Sequence, residues 1–344
     1  MMTGDQVTER RLQASAENVD IELGASGTDT GRRQNDSGGV ATKYDPIRVR
    51  RRLGNASEVP EYVPVRPFIR NYYRINYTFA DCFWSIFALH NETVNIWSHL
   101  IGFCIWLRQY AAIRQDDIHN KADEFTQTSI LLSYCLCLFM PLFSTIYHSF
   151  YSSVSCGCIF DYTKPGTGSS AVQLNLLRLD LFGILCLWFS RLFLEGHYVW
   201  WCDRGTFYNV MMISSLLFIY CSFVLLRDMN LLALGPLFIL AHIPLISMVL
   251  FGLQTAPPSP DLSAHLVYSI SGTVCAFVAF YVYKKNLPER WKPGYFDLFG
   301  SSHNIWHVFV WLGPTLVMRG FVFFLRYRVV GAGGKCGSTA ASMP

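Results

Sequence analysis

Two histidines one helical turn apart, His303 and His307 in Ser301-Ser302-His303-Asn304-Ile305-Trp306-His307, can offer two imidazoles to one ion without bending a helix. A third, His148, closes the run Ser144-Thr145-Ile146-Tyr147-His148, and Asp180 follows soon after Arg178. Three protein ligands leave a metal one open position for water, the form that hydrolytic sites take. Asp180 is then the natural partner of that water or of a ligand, and Ser144 is a hydroxyl donor one turn below His148. Glu92, Asn95 and His99, in Asn91-Glu92-Thr93-Val94-Asn95-Ile96-Trp97-Ser98-His99, stand three and four residues apart on one helical face. That trio suits an interhelical hydrogen-bond network at least as well as it suits chemistry. Neutral imidazole is a borderline ligand well matched to zinc, with iron and copper left open by ligand type. The plain alternative for an HxxxH pair near a helix end is interfacial packing.

These residues are far apart in the chain, so the elements that carry them decide whether they meet. The 344 residues are 51% hydrophobic, 15% aromatic and 15% charged, with a net charge of +4, and the mean hydropathy is +0.26. So few charges exclude a disordered chain and argue against a soluble globular one. The basic residues show no aromatic interleaving of the kind that binds nucleic acid, and none is expected as a partner. Apolar blocks of about 20 residues match a hydrocarbon core of roughly 30 Å, and they fall at 94–113, 128–151, 179–201, 206–226, 230–253, 264–283 and 303–325. The predicted fold is an all-α integral membrane protein, a bundle of seven transmembrane helices.

Parity then does the positioning. The start of every odd span and the end of every even span lie on the same membrane face, and Glu92, Asn95, His99, Ser144, His148, Asp180, His303 and His307 all sit at such ends. They can therefore face one internal cavity. An ionisable group inside a membrane is costly enough to be a functional-site hypothesis by default. His119 and His197 belong to the opposite face, His242 sits near the middle of span five and His265 opens an even span. All four are read as structural.

Residues 1–45 are rich in Gly, Ser, Thr, Asp and Asn and are expected to be a disordered tail. Segment 46–93 is basic and amphipathic, 94–325 is the membrane domain, and 326–344 is expected to be a short flexible tail. The N-terminus carries acidic residues and has no apolar run of signal-peptide type, so it is expected to stay in the cytosol. The C-terminus is then lumenal or extracellular, although Lys and Arg divide evenly among the short connectors. The sequons at Asn35, Asn55, Asn76 and Asn91 would all be unglycosylated in that topology. Of the eleven cysteines, Cys82, Cys104, Cys135, Cys137, Cys186, Cys202, Cys221 and Cys275 lie in or beside apolar segments and are expected to pack as small hydrophobes rather than form a disulfide framework. Cys156 and Cys158, with no close histidine, suit packing or palmitoylation better than a metal.

The runs HNETVNIWSHLIGF, STIYHSF, RLDLFGI and LPERWKPGYFDLFGSSHNIWHVFV resemble the progestin and adipoQ receptor family, which includes adiponectin receptors and relatives of haemolysin III. The likeness covers roughly residues 66–325, and its three spaced signatures are jointly specific. It implies a zinc held by His148, His303 and His307 near the cytoplasmic face, with Asp180 and Ser144 beside a zinc-bound water, and a cavity open to membrane lipids such as ceramide, a fatty acid or a sterol. In adiponectin-receptor relatives the arrangement looks like a zinc amidohydrolase for ceramide. RPFIRNYYR, NETVNIWSHL and GSSHNIWH look closer to a Golgi-resident branch. For that branch the implied role is binding Raf kinase through the cytoplasmic N-terminal region and restraining mitogen-activated kinase signalling, from Golgi or plasma membrane. The stretch between His148 and Asp180 is longer than the family pattern, and the N-terminus is longer than that of the Golgi branch.

Overall fold

The computed structural model describes residues 51–60, 63–153, 167–250 and 259–331. The expected tail at 1–45, Cys156 and Cys158 lie outside these residues. Seven long helical segments carry the bundle: α2 (Thr93–Arg114), α4 (Glu124–Phe150), α5 (Thr167–Val199), α6 (Arg204–Asp228), the pair α7 (Leu234–Leu240) and α8 (Ile243–Leu250), α9 (Pro260–Lys285) and α10 (Ser302–Val329). Before them come strand β1 (Arg52–Gly54), strand β2 (Tyr73–Ile75) and the short helix α1 (Phe79–Ser85), and α3 (Asp117–Lys121) links α2 to α4. Five segments (α4, α6, the stretch Leu231–Leu250, α9 and α10) are long and apolar enough to cross a membrane. The other two carry interior polar groups, Asn95, Ser98 and His99 on α2 and Asp180, Arg191 and Glu195 on α5. The chain is an all-α membrane protein.

Capping residues set the ends. Asp123 accepts from Thr126 N at the start of α4, Asp203 from Thr206 N at α6, and Ser259 from Leu262 N at α9, where Pro260 begins the helix. Each occupies the position where a short polar side chain satisfies an N–H the helix leaves unpaired. Outward faces are apolar, as a bilayer requires: Leu216, Ile219, Tyr220 and Phe223 on α6 and Phe277, Phe280 and Tyr281 on α9 are all exposed. Lipid tails give apolar helices no reason to associate, so close backbone approach must hold them. At the α9–α10 contact a Cβ on Gly272 would lie 2.5 Å from the Gly313 carbonyl oxygen, and one on Gly313 2.8 Å from that of Gly272.

Three features differ from the sequence reading. Span three starts at Thr167 rather than 179, so α5 extends beyond the apolar block into the connector. The last helix runs past 325 to Val329. Span five is not one helix but two, interrupted at Ala241–His242. Pro244 has no N–H for the carbonyl four residues back, and the His242 ring donates from Nδ1 to the Phe238 carbonyl at 2.7 Å, satisfying an oxygen that the break releases. Hydropathy is blind to such a break because both halves are equally apolar.

Cys202 also departs from its expected role, being disulfide-bonded rather than a packed thiol. It lies 22 residues beyond Asp180, most of that distance along α5, hence about 30 Å away at 1.5 Å per residue. The far end of the bundle therefore carries the disulfide, and the near end His148, His303 and His307.

The basic segment before α2 is folded onto that near end. Leu53 pairs with Arg74 in a two-stranded antiparallel ribbon. Arg74, almost wholly buried, donates to Ser85 Oγ at 2.9 Å and to the carbonyls of His148 and Ser149 at 2.6 and 2.8 Å. These are the last carbonyls of α4, which have no helical partner. One guanidinium thus ties ribbon, α1 and the His148 turn together.

Candidate metal centre

His148 is in the last turn of α4, and His303 and His307 are in the first two turns of α10. Their ligand atoms lie within 4.8 Å of one another, and all three residues are buried. Ring centroids are separated by 4.4 Å for His148–His307, 4.5 Å for His303–His307 and 5.3 Å for His148–His303. The Nε2 atoms of His303 and His307 face each other at 2.9 Å. Arg66 Nη2 donates to the same His303 Nε2 at 2.7 Å, which requires a lone pair there. Convergent imidazole lone pairs in a buried setting are the donor set of a divalent transition metal, and the three histidines fit one.

Glu92 organises the surroundings. It is 1% exposed and precedes the first turn of α2. The His148 ring donates from Nδ1 to Glu92 Oε2 at 2.7 Å, Asn95 Nδ2 donates to the same oxygen at 2.5 Å, and the Tyr151 hydroxyl donates to Oε1 at 3.1 Å. A carboxylate on one ring nitrogen fixes the tautomer and presents the other nitrogen as a ligand. Arg66 supplies counter-charge, with Nε 3.6 Å from Glu92 Oε1. Behind Glu92, burial pushes the His90 imidazole down to about 3, so this ring is neutral: its Nδ1 accepts the Glu92 N–H at 3.1 Å while Nε2 faces the Ser85 carbonyl.

The remaining sequence candidates take distinct places. Asn95 Oδ1 accepts from Asn304 Nδ2 at 2.9 Å and so couples α2 to α10. His99 stacks edge-on against His307 at 4.4 Å. The Asp180 carboxylate accepts from Ser144 and lies in the field of His148, Arg66 and Glu92, but it is outside the ligand triad. The partner of a ligand ring is thus Glu92, not Asp180, which keeps the position beside the centre. Sequence reasoning missed Arg66, Tyr151 and Asn304, and also two acids that hold the chain around the site. Glu289 receives the Ser302 N–H at 2.6 Å and its hydroxyl, bracing the start of α10. Asp297 receives the N–H groups of Arg70 and Asn71 at 3.1 and 2.9 Å, which holds the strap carrying Arg66 across the near end. Both acids sit in irregular chain, where no periodicity marks them.

Replacing Glu92 with Gln is expected to weaken metal retention by about 10- to 100-fold while leaving the three ligands in place. Competition with a chromophoric chelator reads this directly; retention equal to wild type would mean that the Glu92 carboxylate does not orient the His148 ring for the metal.

The chain matches the haemolysin-III-related family model over residues 87–164 and 166–318. Among curated proteins it is similar to heptahelical transmembrane protein 1 of Arabidopsis thaliana, at 29% identity over 81% of this chain and 83% of that protein. Progestin and adipoQ receptor family member 3 of Mus musculus is 28% identical over 83% of this chain and 91% of its own length. Membrane progestin receptor gamma-B of Danio rerio is 24% identical over 78% and 80%, respectively.

Proposed function

Since this chain belongs to the haemolysin-III-related family of membrane proteins, we propose that it is a zinc-holding, seven-span, receptor-like regulator of signalling, with its N-terminus in the cytosol. The observation that carries this reading is the buried His148, His303 and His307 group with Glu92 on the His148 ring. A second observation supports the orientation. Cys202 is disulfide-bonded at the end of the bundle far from His148, His303 and His307, and disulfides persist in the oxidising lumen or exterior rather than in the cytosol. The names of the relatives support seven spans and a receptor-like role. Golgi residence and restraint of Raf kinase through the N-terminal region are the finer form of the proposal, and rest on the likeness of RPFIRNYYR, NETVNIWSHL and GSSHNIWH to the Golgi branch. The test is the metal content of the detergent-purified chain: about one zinc per chain supports the reading, and none in a folded, monodisperse sample overturns it.

Asp180 favours a second reading, a zinc amidohydrolase acting on ceramide-like lipid amides. A zinc bound by the triad would lower the pKa of a coordinated water to about 7 and polarise an amide carbonyl. Asp180, which interacts with Ser144 and lies in the field of His148, is a carboxylate available to accept a proton. Asp180→Asn is expected to lower turnover of a ceramide amide by about 100- to 10,000-fold with zinc content and unfolding temperature unchanged. A wild-type chain that holds zinc yet releases no fatty acid would remove the hydrolase and leave the receptor-like reading standing.

A further inference from the structure

We infer that the outer surface of the segment joining α9 to α10 is a binding site for anionic phospholipid headgroups. Residues 284–300 sort their charges by side. The two acids, Glu289 and Asp297, are 2% and 3% exposed and face inward, engaged with Ser302 and with Arg70 and Asn71. The four bases, Lys284, Lys285, Arg290 and Lys292, are all exposed. Among the described residues none of the four forms an ion pair. The segment therefore presents positive charge outward with no acid to offset it.

Aromatic rings accompany those bases. Trp291 is 75% exposed, Tyr295 66% and Phe299 57%, and Lys292 Nζ stands 3.8 Å from the Tyr295 ring centroid. A loop that needed only to be soluble would not expose three large rings. Exposed Trp and Tyr beside Lys and Arg are instead the pattern of a membrane–water interface. The segment must lie at that depth because α9 and α10, both long and apolar enough to span, end and begin on either side of it. Exposed bases also occur at the other end of the bundle (Arg114, Lys121 and Arg326), where Arg204 instead donates to His197 and stacks on Phe125 and Trp201, and Arg328 donates to the Tyr198 carbonyl. Four exposed cations without an ion-pair partner, one of them over the Tyr295 ring, fit an anionic headgroup, at a site that does not require the metal centre to be occupied.

The test uses the full chain in phosphatidylcholine nanodiscs with traces of phosphatidylserine or phosphatidylcholine dansylated on the acyl chain, read as energy transfer from the protein's tryptophans. Transfer to labelled phosphatidylserine is expected to exceed that to labelled phosphatidylcholine and to fall with salt. Neutralising bases should reduce the preference by about fivefold per charge, until K284Q/K285Q/R290Q/K292Q no longer distinguishes the two lipids. If the quadruple variant does not fold, K284Q/K285Q and R290Q/K292Q separately must each lower the preference. A wild type with no preference, a folded variant that keeps it, or displacement of the lipid by an equal concentration of inorganic phosphate would each overturn the proposal.

Discussion

Single substitution of His148, His303 or His307 by Ala is expected to take the purified protein from about one zinc per chain to essentially none after dialysis. A structural zinc bound by about 10–16 kcal/mol through four ligands owes each ligand roughly 2.5–4 kcal/mol, so removing one weakens binding on the order of 70- to 1,000-fold. The loss should be the same from either helix, because His148 is on α4 and the other two are on α10. His99 is the informative control. It packs 4.4 Å from the His307 ring but is outside the ligand group, so His99→Ala should keep its zinc. Elemental analysis of monodisperse samples decides the matter; equal loss in His99→Ala and His307→Ala would mean that packing, not ligation, holds the metal.

Arg191→Ala is expected to destabilise the bundle by about 3–5 kcal/mol, because it strands a buried carboxylate. Glu195 is wholly buried, and its Oε2 is 3.1 Å from Arg191 Nε one turn earlier on α5. The same guanidinium reaches His242 Nε2 at 3.2 Å, at the break between α7 and α8, and donates to Thr273 Oγ1 on α9 at 2.9 Å. One side chain thus joins three elements in the bundle interior. Removing both charges together, as Arg191→Ala with Glu195→Gln, leaves no stranded ion and should recover most of the loss. Unfolding in detergent measures the four corners of this cycle; a double variant as unstable as the sum of its parts would deny the coupling.

Much of the candidate metal centre was legible from spacing alone. His303 and His307 are neighbours on any helix, and parity of the spans brings His148 and Asp180 to their end wherever the bundle packs. The carboxylate that would orient a ligand was not legible. Glu92 and Asp180 are both acids at the same end, and which one meets His148 depends on the rotation of α2 and α5 about their axes. Arg66 was further out of reach, because it is on an irregular strap and meets His303 across 237 positions of chain.

The sequence by itself determined the class of protein and where most of the long helices lie, since a chain with so few charges and apolar blocks of bilayer length must satisfy its backbone internally. Only the tertiary structure decided the break in span five, the docking of residues 51–60 and 63–92 over the end that carries His148, His303 and His307, and the use of Glu92, Glu289 and Asp297. The physical reason is range. Hydropathy and helical period are properties of neighbouring residues, whereas a buried charge is placed by whatever partner the packing brings within about 3 Å.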